Sequence, residues 1–203
     1  MPALIAPQRR TAPLRVPRHD LLPGPVQRAE LIRGTLVHCG PGVRGAGWPD
    51  TPLVRAAALA PWLTPDRTAI LLTAAWIWGA AHSAGALLEF ASAARANTGS
   101  ERGVRVRSRQ LSPREPELLH LGRATVTTPT RTVADLLRLS AVLTREIHIA
   151  CRVLAVFRGA GAAQVAAALT AGPAPHRRRA LARLARVSQL WLESGAESAA
   201  PSS

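Results

Sequence analysis

The chain has 203 residues, of which 26 are basic and 12 acidic, so that its net charge is +14. Every basic residue is an arginine, because the sequence contains no lysine. This excludes a phosphate-binding loop of the GKS type, Schiff-base catalysis and a nuclease centre of two acids and a lysine. The charge makes nucleic acid the first partner to consider, with an anionic membrane surface second.

The N-terminal quarter combines a proline-rich arm with a short ordered unit. Six prolines in residues 1–25 leave no helix of useful length, so we predict a disordered basic arm there. Residues 26–48 then read as a helix that stops at Gly34, a strand from Thr35 to Cys39, a Gly-Pro-Gly turn and a returning strand. This order is typical of the back half of a winged helix, so we predict a winged-helix remnant.

Residues 49–192 predict a mixed α/β domain with a small sheet and a helical C-terminal half, which makes the fold class α+β. Residues 84–100 show only a turn at 97–100, and alternation over 103–109 indicates a strand with an arginine-rich outer face. Residues 193–203 are small and polar, and we expect a disordered tail. The other predicted elements are helices over 52–63, 67–79, 130–139, 144–157, 162–171 and 176–192, and strands over 118–121 and 124–128.

The most informative segment joins the last of these strands to the following helix. Thr128 is a good N-cap residue and Pro129 suits the first helical turn. Arg131 and Asp135 lie four residues apart and can pair on one helix face. Composition and spacing leave open whether this is a junction built for folding alone.

Three strings resemble one protein family. VTTPTRTVADL at 126–136 is similar to the hallmark of AbiEi-type antitoxins of actinobacteria, the DNA-binding halves of type IV toxin–antitoxin pairs. AAWIWGA at 74–80 resembles a helix of that family, and residues 31–43 resemble the signature that ends its DNA-binding domain. In that signature the matching positions are Leu31, Arg33, Gly34, Leu36, Val37, Gly42 and Val43. Prolines stand where the family has two further helices, so the winged-helix module is expected to be degenerate.

The resemblance implies a cytoplasmic, non-enzymatic DNA-binding antitoxin that represses the transcription of its own operon. It implies double-stranded DNA as the partner, no membrane, and a genetic partner toxin that is opposed without direct contact. No catalytic residue, metal or cofactor is expected. The family motif consists of Thr128, Pro129, Arg131 and Asp135. The candidate DNA-binding residues are Arg28, Arg33, His38, Arg44, Arg105, Arg107, Arg109, Arg179, Arg183 and Arg186.

Several alternatives stay open at this point. The chain could be an orphan scaffold, the front portion of a protein with an endonuclease domain similar to very-short-patch repair enzymes, which has lost that domain. It could also be a basic RNA-associated protein, and each arginine set could be a solvated charged face. Glu115 with Glu117 is expected to be a solvated loop, and His148 with Cys151 a packed helix face, because two ligands do not close a zinc site. Cys39 and Cys151 are expected to be reduced thiols.

Overall fold

A computed structural model describes residues 15–171 and 176–197, with side chains up to Gln189. Its mixture of helices and mixed sheets confirms the predicted α+β class. Within the described ranges the helices are α1 (Gly24–Arg33), α2 (Pro52–Ala58), α3 (Leu71–Ile77), α4 (Pro129–Leu139), α5 (Arg145–Arg158), α6 (Ala162–Thr170) and α7 (Arg177–Glu197). The strands are β1 (Leu36–Cys39), β2 (Gly42–Gly45), β3 (Thr68–Ala69), β4 (Leu88–Ser92), β5 (Asn97–Glu101), β6 (Val104–Gln110), β7 (Leu118–Leu121) and β8 (Ala124–Thr127).

Six strands form one mixed sheet in the order β5-β6-β4-β3-β8-β7. The pairs β4–β6 and β3–β8 are parallel, whereas β3–β4, β5–β6 and β7–β8 are antiparallel. The centre of this sheet is therefore built from β4 and β3, which lie next to each other although α3 separates them in the chain.

One face of the sheet is buried under helices. Phe90, Ala69 and Val126 lie side by side in register on the three central strands, and all three are completely buried. Helix α3 packs on β4, and α4 packs in turn on α3, α5, α6 and α7. The predicted apolar stripe of α4, which includes Val133 and Leu136, is buried as expected. Helix α4 is thus the centre of the helical C-terminal half.

The N-terminal unit has the predicted order of helix, strand, turn and strand. Helix α1 ends at Gly34, whose φ of +76° is the left-handed conformation that glycine adopts without strain. Strands β1 and β2 pair as an antiparallel hairpin. The hairpin turn packs closely on the rest of the chain, because a Cβ atom on Gly42 would lie 2.1 Å from the carbonyl oxygen of Ala58, and one on Gly40 would lie 2.8 Å from the ring of Trp76.

The structure corrects the prediction between residues 67 and 101. The expected helix over 67–79 is instead β3 followed by the shorter α3, whose first residue, Leu71, has a φ of +52°. Strand β4 was not predicted, and the expected turn at 97–100 is wrong, because those residues pair with β6 as β5. The helix over 52–63 ends at Ala58.

The two ends of the chain also differ from the expected boundaries. In the arm predicted for 1–25, residues 1–14 lie outside the described range, His19–Leu21 form a 3-10 turn that contacts β2, and α1 begins at Gly24. At the other end α7 runs to Glu197, past the expected start of the tail at 193. The remainder of that tail, residues 198–203, lies outside the described range.

None of the helices described here is by itself long and apolar enough to cross a membrane. The pair α5 and α6, which is bent by 110°, passes that test when the two are taken together, by length and composition only.

Candidate nucleic-acid interface

The strand–helix junction at 126–136 is held by hydrogen bonds within the chain. Thr128 caps α4 through its hydroxyl oxygen, which accepts from the backbone N–H of Arg131 at 3.3 Å. The hydroxyl of Thr132 donates to the carbonyl oxygen of Thr128 at 2.9 Å, and the indole N–H of Trp78 donates to that of Thr127 at 2.9 Å. Thr127, Thr128 and Thr132 therefore form hydrogen bonds that connect β8 with α4 and with the end of α3.

Arg131 and Asp135 form the predicted ion pair, but at the centre of a larger network. The guanidinium of Arg131 bridges Asp135, at 2.9 Å, and Glu117, while Arg138 binds the second oxygen of Asp135 at 2.7 Å. The carboxylate of Asp135 has no exposed surface. It is thus held by two guanidiniums in the interior and cannot touch a ligand without rearrangement.

The pKa shifts in this network follow from burial and charge. Burial raises the pKa of the Asp135 carboxyl, and the attraction of Arg131 and Arg138 opposes that rise. For Glu117, burial acts in the same direction, but the amide of Arg114 and the charge of Arg131 outweigh it, and its pKa is lowered. The family-motif residues Thr128, Pro129, Arg131 and Asp135 therefore act here as a structural junction.

The N-terminal candidates divide into exposed and occupied residues. Arg28, Arg33 and His38 are exposed, and Arg33 also pairs with Glu30 at 2.6 Å. Arg44 is only half-exposed, since its guanidinium donates to the carbonyl oxygen of Trp48 at 2.6 Å and so holds the loop after β2. Helix α1 has no buried residue, and its Ile32 is 85% exposed one turn after Arg28.

Arg105, Arg107 and Arg109 lie on one face of β6, as predicted. Val106, between them, is buried on the opposite face. Glu89 of the adjacent strand β4 binds Arg109 at 2.9 Å and lies 3.9 Å from Arg107. One carboxylate thus offsets part of the charge of three guanidiniums, and Arg105 is the exposed member of the row.

The polar sheet face extends beyond this row, which sequence reasoning did not show. Register places Thr98 opposite Arg107 and Ser100 opposite Arg105, and both β5 residues are exposed. At the other end of the sheet, His120 and Thr125 are paired on the same face as Thr68. Only the strand register reveals this face, because β5 is composed of residues typical of turns.

The arginines of α7 do not form one set. Arg183 donates to the carbonyl oxygens of Leu137, Ser140 and Ala141 at 2.7 to 2.9 Å, and Arg179 donates to that of Arg138 at 3.0 Å. These bonds satisfy the carbonyl groups at the C-terminal end of α4. Arg179 and Arg186 are both exposed, and Arg186 is the more accessible because the guanidinium of Arg179 is bound to the carbonyl oxygen of Arg138.

The acidic, histidine and cysteine residues considered as metal ligands in the sequence have other surroundings in the structure. Glu117 binds Arg131, and among the described residues there is no group of three or more histidine, cysteine or acidic side chains that could hold a metal ion. Cys39 and Cys151 are both buried free thiols, and burial raises the pKa of Cys151 to about 12. His148 is half-exposed, next to this buried thiol on α5.

Comparison of the chain with protein families, curated proteins and solved structures finds no match.

Proposed function

We propose that the chain is a non-enzymatic protein that binds double-stranded DNA, with α1 as the element that reads the sequence. The observation that carries the proposal is that α1 contacts β1 while none of its residues is fully buried, so that Arg28, Ile32 and Arg33 stay exposed. A helix that projects in this way on a basic chain has the dimensions that the major groove accepts.

The outer surface of α1 carries suitable chemistry for reading base pairs. Arg28 and Ile32 are four residues apart and share one helix face. Arginine is the most common reader of guanine, and an apolar side chain contacts the methyl group of thymine. Ile32 is exposed and is therefore accessible for such a contact.

The β6 row and Arg186 are the second part of the proposal. Guanidiniums on an open polar surface are suited to phosphate groups, which supply affinity without sequence information. Arg105 and Arg186 fit this role best, since both are exposed. Arg44, Arg179 and Arg183 contribute less in the proposal, because their guanidiniums are bound to backbone carbonyl groups.

The biological context of the proposal follows the resemblance at 126–136. The protein would act in the cytoplasm of an actinobacterium as an AbiEi-type antitoxin and repress its own operon without touching the toxin. The helix-and-hairpin unit and the charge of +14 support this context.

The test is a mobility-shift or anisotropy titration of the purified protein with the DNA upstream of its own gene and with random duplex. At about 150 mM salt we expect at least tenfold tighter binding to the upstream DNA, since specific affinities exceed non-specific ones by far more than this. Equal affinity for the two duplexes contradicts the repressor proposal.

A pair of charge-matched variants locates the reading element. Arg28→Ala with Ile32→Ala should weaken binding to the upstream DNA by roughly tenfold or more, because each good base contact contributes about 1–3 kcal/mol. Arg145→Ala with Ile149→Ala removes the same side-chain types at the same spacing from α5 and should leave the preference for upstream DNA intact. If both variants lose that preference equally, α1 is not the reading element.

A further inference from the structure

Within the part of the chain that the structure describes, helix α5 has a buried face and an apolar face that is only partly covered. Ile147, Ala150, Cys151 and Leu154 are buried on the side that contacts α4. On the other side the exposed fractions are 50% for Ile149, 57% for Val156 and 76% for Phe157, and Val153 between them is half-buried and also packs against the core. We call Ile149, Val153, Val156 and Phe157 the α5 stripe.

The spacing of the α5 stripe is that of a helix-docking surface. Its residues follow each other at intervals of four, three and one, so they form a continuous seam along the helix. Amphipathic helices bind such surfaces with anchors at positions i, i+3 or i+4, and i+7. Apolar residues scattered over a protein surface seldom place three large side chains, each at least half exposed, on one helix.

The charge along one edge of the α5 stripe is positive. Arg145 and Arg152 are exposed, lie seven residues apart and follow the same edge of the stripe. The acidic residue of this helix, Glu146, points to Ser83, whose hydroxyl lies 3.2 Å from its carboxylate. The edge therefore presents two guanidiniums that acidic side chains of a partner could pair with.

We propose that the α5 stripe docks an acidic amphipathic helix of a partner protein. Apolar side chains of that helix cover Ile149, Val156 and Phe157, and its glutamate or aspartate residues pair with Arg145 and Arg152. This surface is separate from α1 and does not depend on DNA binding.

Charge and the width of the apolar surface favour an acidic helix over two other occupants of the α5 stripe, a second copy of the chain and a lipid surface. A second copy of the chain would bring another Arg145 and Arg152 to the same contact, so like charges would meet. An anionic lipid surface would attract the arginines, but stable interfacial binding needs a broad apolar face. Ile147, Ala150, Cys151 and Leu154 are buried on the other side of α5, so the apolar surface left for contact is narrow.

The probe is a fluorescein-labelled helical peptide with leucines at i, i+4 and i+7 and glutamates along one flank, titrated by anisotropy against the full chain. A peptide with lysine in place of every glutamate is the control. We expect the acidic peptide to bind at least ~10-fold more tightly, and Ile149→Ser with Val156→Ser to abolish that binding. Arg145→Glu with Arg152→Glu should reverse the preference, so that the lysine peptide binds better.

The outcomes distinguish the occupants. Acidic-peptide binding that survives both α5 variants, or fails altogether, overturns the proposal, and Arg28→Glu with Arg33→Glu controls for the same change in net charge elsewhere. Sedimentation that shows a dimer dissociated by Ile149→Ser assigns the stripe to a second copy. Binding to vesicles with 30% anionic lipid, lost in the same variants without any peptide binding, assigns it to a membrane surface. Loss of upstream DNA binding leaves this inference intact, because the peptide titration contains no DNA.

Discussion

Asp135 shows how much a single buried carboxylate can organise. It accepts hydrogen bonds from Arg131 and Arg138 on its two oxygens, and Arg131 extends the network to Glu117 in the segment before β7. The spacing of Arg131 and Asp135 predicted their pairing. The participation of Arg138 and Glu117 could not be predicted in the same way, because Glu117 comes from a segment that the fold alone brings to α4.

Asp135→Asn should destabilise the protein by about 3–5 kcal/mol, because removal of one partner leaves buried guanidiniums without their acceptor. The measurement is the free energy of unfolding from urea denaturation followed by circular dichroism. Asp50→Asn breaks a more exposed pair with Arg55 and should cost less than about 1 kcal/mol. Equal effects of the two substitutions would contradict the central role of Asp135.

Among the elements, those with a regular pattern could be predicted, and those defined by pairing could not. Helices α4, α5 and α6 and strands β6, β7 and β8 lie within one or two residues of their predicted bounds. Strand β4 alternates only over Leu88, Glu89 and Phe90, and two small residues follow, so its strand signal is too short to predict it. Strand β5 is a strand because β6 pairs with it, although Asn97 and Gly99 are typical turn residues.

In the candidate site, too, regular patterns could be predicted and tertiary contacts could not. Alternation predicted the outward row of Arg105, Arg107 and Arg109, but not their neighbour Glu89, which lies on an unpredicted strand. The arginine spacing in α7 predicted a basic face, whereas Arg183 is turned toward the end of α4. Charge patterns in a sequence therefore identify arginines, and tertiary contacts determine which of them stay accessible.

The contact between the β1–β2 hairpin and α2 can be tested at Gly42. In Gly42→Ala the new methyl group would meet the carbonyl oxygen of Ala58 at 2.1 Å, so the hairpin must move. We expect a loss of about 1–3 kcal/mol in the free energy of unfolding, as in other overpacked sites. Gly47→Ala, where no atom lies within 4 Å of the added group, is the matched control and should change the stability little.

For the whole molecule, acid should weaken the fold. The pKa is lowered for Asp20, Asp50 and Glu101, each through hydrogen bonds from an arginine, and Glu117 shifts in the same direction. A carboxylate with a lowered folded-state pKa adds stability above its unfolded value, about 4, and loses it as the pH falls through the folded value. Asp135, with its raised pKa, acts in the opposite sense and offsets part of the loss.

We therefore expect a melting temperature that is nearly constant from about pH 6 to 8 and decreases below about pH 4. Thermal unfolding by circular dichroism between these values is the measurement. In Glu101→Gln, which removes the partner of Arg67, the dependence on pH should be shallower. A melting temperature that increases on acidification would show that Asp135 dominates the balance.

The carbonyl contacts of Arg179 and Arg183 have a practical consequence for handling the protein. They join a guanidinium to neutral backbone groups, so dissolved ions weaken them less than they weaken contacts between arginine and phosphate. Washing with concentrated sodium chloride during purification should therefore remove bound nucleic acid, while α7 stays packed on α4.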